Sequence, residues 1–239
     1  MTRALFLLVL TACGGLGAEA QLSFGLRVGA ERYGLGEVRS WQDDELERVR
    51  YSVPAESIGE FPAYLAVGLE IGYAPSERTR LGLTLRQGST GSRIRYTDRT
   101  GDVRADWQVR RLSAGLFGER AFARSGPYTF IAGVHALVDF GRLRYESAVV
   151  LGGAVLEEAT PDPATARTYS VEPEVGVERR FGSVGVRLRA GFGLSSSGEA
   201  TLVPGATVQD GNTVYFVPGL EPDLEWTGWR LGLSLVYQR

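Results

Sequence analysis

Charged side chains that could form buried ion pairs recur at alternate positions of segments that are otherwise apolar. They comprise seven arginines and seven acids, namely Arg27, Arg86, Arg111, Arg180, Arg187, Arg189 and Arg230 with Glu31, Glu70, Glu119, Asp139, Glu172, Glu174 and Glu178. Guanidinium groups pair with carboxylates through two parallel hydrogen bonds, and charges shielded from water must pair. We therefore expect a structural charge network, with a narrow ion pathway or gate as the alternative.

Catalytic and metal chemistry have little support in the composition. The chain contains one histidine and one cysteine, which excludes a disulfide framework and a zinc site of several Cys and His residues. His135 lies four residues before Asp139 on the same alternating face, but no nucleophile–base pattern accompanies it. We expect a hydrogen-bonding role for His135, no catalytic residue, no metal and no cofactor.

Two stretches outside the alternating segments could bind a partner. Trp41 stands in a charged run beside Asp43 and Asp44, whose carboxylates lack the spacing of a calcium loop. In residues 201–217, Asp210-Gly211 is a hairpin turn signal between two β-prone runs that include Tyr215 and Phe216. We expect a β-ribbon there that binds an unknown partner, or else packs on neighbouring loops.

Eight segments with period-two alternation must position these residues, because that period is typical of strands. They are Leu22–Tyr33, Ala63–Tyr73, Leu81–Arg86, Arg111–Glu119, Tyr128–Gly141, Tyr169–Glu178, Val184–Leu194 and Gly228–Gln238. An alternating stretch of about ten residues, tilted by about 45°, spans roughly 23 Å, the height of the apolar band of an outer-membrane barrel. Pro62 and Pro173 are expected near strand ends, where a missing donor is tolerated.

The connections between these segments alternate in length. Three are tight turns, at Pro75–Thr79, Ala123–Pro127 and Phe181–Ser183, whereas Gly34–Glu60, Ser147–Arg167 and Ser195–Leu224 are long and Thr97–Val103 is shorter. Short turns at one end and long loops at the other are the layout of a transmembrane barrel. A soluble ligand-binding barrel is the alternative, with its apolar face turned inward.

Residues 1–20 are predicted to be a signal peptide and residues 21–239 the barrel domain. Arg3 precedes a short apolar run, and Ala18-Glu19-Ala20 forms a cleavage site. The alternative is that the protein is a lipoprotein in which Cys13 becomes the lipid-modified N-terminal residue. The apolar strand faces carry Tyr or Trp at their ends, as in interfacial aromatic belts, which favours the membrane barrel.

The alternating pattern over the mature chain resembles the small outer-membrane β-barrels of Gram-negative bacteria, the OmpA-like and OmpX-like family with its outer membrane protein beta-barrel domain. The resemblance implies an all-β fold, an eight-stranded antiparallel up-and-down transmembrane β-barrel in the bacterial outer membrane. It also implies outer-membrane lipids and the barrel-assembly machinery as partners, and a monomer. In that family the last strand usually ends in an aromatic residue; here Tyr237 lies two residues before the end.

The formal net charge is −2, so the protein as a whole has no electrostatic attraction to nucleic acid. All 26 basic residues are arginine. We expect a non-enzymatic outer-membrane barrel with a plugged polar lumen, acting in envelope integrity or in surface binding through long loops. The alternative is a narrow porin or a barrel that transports small hydrophobic molecules.

Overall fold

The computed structural model describes residues 21–50, 54–59, 61–99, 101–151, 154–159, 163–196, 198, 207–210, 213–216 and 223–238. The strands are β1 (Gln21–Tyr33), β2 (Glu56–Ile58), β3 (Tyr64–Ser76), β4 (Thr79–Thr97), β5 (Gly101–Ser125), β6 (Tyr128–Leu151), β7 (Ala154–Ala159), β8 (Ala164–Phe181), β9 (Val184–Ser195), β10 (Thr207–Asp210), β11 (Thr213–Phe216) and β12 (Gly228–Gln238). One helix, α1 (Gly36–Arg50), follows β1. No helix within the described ranges is long and apolar enough to cross a membrane.

Eight of these strands close into a ring in which every neighbour is antiparallel. The order around the ring is β4, β3, β1, β12, β9, β8, β6 and β5, and β5 pairs with β4 to complete it. The first and last strands meet along a register from Ser23↔Gln238 to Tyr33↔Gly228. The predicted eight-stranded antiparallel barrel is confirmed.

The two faces of the barrel strands follow the predicted alternation. On β1, Leu22, Phe24 and Leu26 point outward and are about half exposed, whereas Arg27 and Glu31 point inward and are buried. Each strand of the ring continues this pattern, because successive side chains in a strand point to opposite faces. The outer surface therefore carries an apolar band, while charged side chains fill the interior behind it.

Several strands continue well past the alternating stretch that the sequence pattern marks. β5 has 25 residues and β6 has 24, so their upper halves extend beyond the apolar band toward the loop end. In these upper halves the polarity of the two faces is reversed. On β5 the interior residue changes from Arg111 to Val109, and the outward residue changes from Leu112 to Arg110.

The predicted long loop Gly34–Glu60 contains helix α1, which the sequence reading missed. Val38, Gln42, Leu46 and Val49 lie on its buried side. The three apolar ones pack into an apolar core at the loop end of the barrel, the apolar cap, which also contains Leu35, Phe61, Ile94, Val103, Ala105, Trp107, Val109, Leu143, Leu224 and Trp226. The loop end is thus closed by a packed core.

Three further sequence expectations can be placed on the fold. Pro173 lies inside β8, not near its end, and the β8–β9 register passes from Val171↔Leu194 to Glu174↔Gly191 without a recorded pair between them. The missing proline N–H accounts for this interruption. The expected ribbon is present as the antiparallel pair β10–β11. The predicted signal peptide, residues 1–20, lies outside the described residues and stays a prediction.

Candidate functional site

The candidate site is the charged interior of the barrel. Among the described residues, seven arginines and seven acids are buried: Arg27, Arg80, Arg86, Arg111, Arg187, Arg189 and Arg230 with Glu31, Glu70, Glu119, Asp139, Glu172, Glu174 and Glu178. The set differs from the sequence-based one at one position. Arg180 lies at the turn end with its side chain 48% exposed, bonded to Glu178 and Gln238. Arg80, which the sequence reading missed, is buried in the network instead.

The interior charges form two groups of ion pairs. The upper cluster, nearer the loop end, comprises Arg86, Arg111, Arg230, Glu31, Asp139 and Glu172. The Glu172 carboxylate is its centre, because it lies 2.5 Å from Arg86 Nη2 and 3.1 Å from Arg111 Nη2 and also pairs with Arg230. Arg111 Nη2 lies 2.7 Å from Asp139 Oδ1. Each acid of this cluster therefore meets at least one guanidinium group.

An aromatic layer at the base of the apolar cap covers the upper cluster. The Tyr33 hydroxyl donates to Glu31, and the Tyr33 ring contacts those of Tyr64 and Trp226 with centroids 5.4 and 5.3 Å apart. Arg111 Cζ stands 4.9 Å from the Tyr33 centroid, and Arg230 Cζ 5.1 Å from it. Cation–π contacts of this kind stabilise guanidinium groups that have lost water. Tyr33 and Tyr64 were not among the predicted site residues.

The lower cluster, nearer the tight turns, comprises Arg27, Arg80, Arg187, Arg189, Glu70, Glu119, Glu174 and Glu178. Arg189 is its centre, since its guanidinium reaches Glu70 at 2.9 Å, Glu119 at 2.7 Å and Glu174 at 2.9 Å. Arg27 binds the other oxygen of Glu174 at 2.9 Å. These contacts join strands from opposite walls, so the cluster ties the barrel together across its interior.

Each cluster is neutral by itself. The upper cluster has three arginines and three acids, and the lower cluster has four of each. No ion pair within 4.0 Å joins one cluster to the other in the part of the chain that the structure describes. Buried charges are tolerated when they are paired and their hydrogen bonds are satisfied. The interior thus satisfies the pairing condition at two separate levels, while Nε of Arg86 and Nε of Arg189 have no hydrogen-bond partner among the described residues.

Glycines on neighbouring strands give the long side chains room. A Cβ at Gly68 would lie 2.6 Å from Cγ of Arg86, and one at Gly232 would lie 3.0 Å from Nε of Arg27. Both arginines therefore lie across positions that carry no side chain. This explains why glycine alternates with charge on the inner face: an eight-stranded barrel has an interior only wide enough for its own side chains.

His135 lies in the interior beside the lower cluster. It is fully buried, its Nε2 lies 3.0 Å from Oε1 of Glu174, and its ring stacks on Phe117 with centroids 5.6 Å apart. Glu119, His135 and Glu174 present possible metal-ligand atoms within 4.8 Å of one another. Both carboxylates are already bound to Arg189. A cation there would have to compete with that guanidinium group, so the donor set suits ion pairing better than metal binding.

Comparisons with known proteins are limited to remote structural similarity. No protein-family model and no curated protein matches the chain. Among solved structures it is similar to Neisserial surface protein A (11% identity, TM-score 0.40, covering 92% of this chain and 97% of that chain). It is also similar to the attachment invasion locus protein Ail of Yersinia pestis in complex with the heparin analogue sucrose octasulfate (9%, 0.38, 93% and 100%). A third is the N-terminal β-barrel domain of Pseudomonas aeruginosa OprF (12%, 0.33, 92% and 100%). The fold assignment rests on the strand pairing of this chain.

Of the predicted loop residues on helix α1, one is packed and two are exposed. The Trp41 ring packs against Tyr145 and Trp107, with centroids 5.1 and 6.2 Å apart, so it anchors α1 on the apolar cap. Asp43 and Asp44 lie on the exposed side of the same helix. Tyr215 and Phe216 belong to β11, where their backbones pair with those of Val208 and Thr207 in β10.

Two cavities lie at opposite ends of the barrel, and the one at the turn end reaches the lower cluster. One, of about 630 Å³, is a groove in the upper wall lined by residues of β4, β5 and β6 that include Gln108 and Arg144. Within it Arg93 forms a hydrogen-bonded salt bridge with Asp106. The hydrogen bond to Asp106 and the charge of its carboxylate raise the pKa of Arg93. The other, of about 670 Å³, lies at the turn end and is lined by Arg80, Arg187 and residues of the turns.

Proposed function

We propose that this protein is a non-enzymatic integral barrel of the bacterial outer membrane, sealed by its own side chains, that presents a rigid surface at its loop end. The observation that carries the proposal is the reversal of polarity along single strands. On β5, Leu112 and Leu116 face outward where Arg111 and Glu119 face inward, whereas above them Arg104 faces outward and Trp107 inward. The lower part suits lipid outside, and the upper part suits water outside.

Lipid is the environment that fits the outward band. The side chains of Leu65, Leu69, Leu83 and Leu116 are each more than half exposed, and leucines and valines of all eight ring strands extend the same surface. A continuous apolar surface of this extent is not stable in water. Tyr169, Trp229 and Tyr237 are exposed at ends of the strand segments that form the band, as expected of side chains at a lipid–water interface.

The two neutral clusters and the apolar cap support the proposed sealing of the barrel. An ion that entered the lumen would have to displace paired guanidinium and carboxylate groups that are each at most 7% exposed. It would then meet an apolar core at the loop end, made of side chains such as Val38, Phe61 and Ile94. Both layers oppose the passage of hydrated ions, so a structural plug explains the interior better than a conducting path.

The loop end supports a role at the cell surface. Helix α1 is fixed by Trp41 below and by Glu37, which accepts a hydrogen bond of 2.6 Å from the Asp223 backbone N–H. It therefore holds Asp43 and Asp44 in a defined place on the outer side of the molecule. A pre-formed surface of this kind binds a partner with a small ordering cost, consistent with envelope integrity or surface binding.

Single-channel recording in planar bilayers tests the proposal and separates it from the narrow-porin alternative. The wild-type protein is expected to give rare, small openings. Arg111→Ser removes a central guanidinium from the upper cluster and should increase the frequency of openings, whereas Arg104→Ser, an exposed outward arginine of the same strand, should not. Steady ohmic conductance in every wild-type insertion would refute the plug and favour transport.

A further inference from the structure

Two arginines face each other directly on the outer wall of the barrel. Arg110 of β5 and Arg142 of β6 are register partners, and both side chains are outward and exposed. Opposite residues of antiparallel strands have Cβ atoms about 5 Å apart, and like charges placed so are destabilising. A surface that keeps such a pair requires something to offset the repulsion.

The protein itself does not supply the missing anion. Neither Arg110 nor Arg142 forms an ion pair with any residue that the structure describes. The nearest acids of this face, Asp106 and Glu146, stand four positions away from the arginine pair, toward the loop end. They are already engaged, Asp106 by Arg93 and Arg104 and Glu146 by Arg144 at 3.6 Å.

The arginine pair stands at the boundary between the apolar and polar parts of the wall. The next outward row toward the tight turns is Leu112 and Phe140, which are register partners and 43% and 47% exposed. The next row toward the loop end is Gln108 and Arg144, which line the groove of about 630 Å³. One surface thus offers an apolar wall, then two cations, then a polar groove.

A third arginine extends the positive patch along the boundary. Arg167 of β8 is the register partner of Phe140, and its Cζ lies 6.0 Å from the Phe140 centroid and 5.4 Å from that of Tyr169. The two rings fix the guanidinium against the wall. Within the described parts of β6 and β8, no outward-facing acid lies next to Arg167.

From this arrangement we infer a binding site for the phosphate of an anionic outer-leaflet lipid, held between Arg110 and Arg142. Guanidinium groups bind phosphate oxygens through parallel charge-assisted hydrogen bonds. The acyl chains of the same lipid would lie along Leu112, Phe140 and Leu116 below. The inference rests on the proposed membrane placement, because only then does lipid meet this wall.

A phosphate-bearing lipid fits this surface better than free phosphate does. Two exposed arginines in water bind a small anion weakly, since salt screens the attraction. A lipid adds contact with the apolar band directly below the pair, and each arginine near a lipid surface contributes to anion binding. Lipid and free phosphate share the same headgroup chemistry, so the experiment must distinguish them.

Binding to the purified protein in detergent can be measured by native mass spectrometry with three probes. Phosphatidic acid and diacylglycerol of the same chains differ only in the phosphate, and inorganic phosphate lacks the chains. We expect phosphatidic acid to bind and the other two not to bind. The double variant Arg110→Gln/Arg142→Gln should weaken phosphatidic acid binding by roughly thirty-fold.

The matched control is Arg95→Gln/Arg104→Gln. These two arginines are also opposite in register, exposed and outward, but they lie further toward the loop end and are paired with Asp102 and Asp106. The control removes the same charge and should retain wild-type binding. A urea titration of both double variants checks that each one is folded.

Three results would overturn the inference. Retention of phosphatidic acid binding by the Arg110→Gln/Arg142→Gln variant would remove the pair from the site. An equal loss in the control would indicate general charge attraction, and equal binding of inorganic phosphate would indicate a free-anion site. Failure of the sealed-barrel proposal is seen separately, as ohmic conductance, and leaves the lipid measurement unaffected.

Discussion

Replacing Glu172 by glutamine should strongly destabilise the barrel. Its carboxylate contacts Arg86, Arg111 and Arg230, and its residue is 3% exposed. The Glu172→Gln change keeps the shape but leaves the upper cluster with three arginines and two acids. Removing one partner of a buried ion pair costs about 3–5 kcal/mol, because the remaining charge is buried without compensation.

Urea unfolding in lipid vesicles, followed by tryptophan fluorescence, measures this loss in the free energy of unfolding. Glu146→Gln is the matched control, since Glu146 pairs with Arg144 on the outer wall and its side chain is 41% exposed. Exposed ion pairs contribute about 0–1 kcal/mol, so the control should stay close to wild type. The reasoning is refuted if the two substitutions cost the same.

A second substitution in the same cluster tests whether charge imbalance is the cause. Glu172→Gln combined with Arg230→Met leaves two arginines and two acids, so neutrality is restored. The double variant should be more stable than Glu172→Gln alone, by at least about 1 kcal/mol, because neighbours in one network couple at this scale. A double variant less stable than either single one would indicate packing, not charge, as the source of the loss.

Two further predictions concern the independence of the clusters and the direction of the outer face. In the same urea assay, Glu70→Gln combined with Glu172→Gln should show losses in the free energy of unfolding that add to within about 0.5 kcal/mol, since no ion pair joins their clusters. The losses from Asp139→Asn and Glu172→Gln should not add in this way, because both acids bind Arg111. Leu83→Arg, on an outward side chain that is 58% exposed, should cost about 2–4 kcal/mol in lipid. Unchanged stability would mean that this face does not contact lipid.

The sequence predicts the barrel interior well because the strand period is two. Once Glu31 and Arg27 are placed on one face, every second residue of β1 follows, and the same holds for each ring strand. The predicted and observed networks differ by one arginine, with Arg80 in place of Arg180, and both residues lie near strand ends. Arg80 has the parity of Arg86 but precedes the alternating leucines, whereas Arg180 has the parity of Glu178 but lies beside a turn and reaches water.

The loop end is less predictable because its elements depend on tertiary contact. Helix α1 has few apolar residues, and one of its buried positions is Gln42, so it carries only a weak amphipathic pattern. The charged residues around Trp41 in the sequence predict an exposed binding residue, whereas in the structure its ring packs on Trp107 and Tyr145. The extended upper strands were missed because their polarity reverses, which a search for an outward apolar face does not detect.

The placement of charges along the ring links neutrality of the interior to completion of all eight ring strands. The contiguous strands β5, β4, β3 and β1 carry Arg27, Arg80, Arg86 and Arg111 but only Glu31, Glu70 and Glu119, an excess of one positive charge. The strands β6, β8, β9 and β12 carry the opposite excess, with Asp139, Glu172, Glu174 and Glu178 against Arg187, Arg189 and Arg230. A half-made sheet inserted in lipid would therefore hold an uncompensated ion, and both seams, β1–β12 and β5–β6, must form before that charge is matched. We therefore expect insertion to be coupled to completion of the chain, which would disfavour trapped, partly built barrels in the membrane.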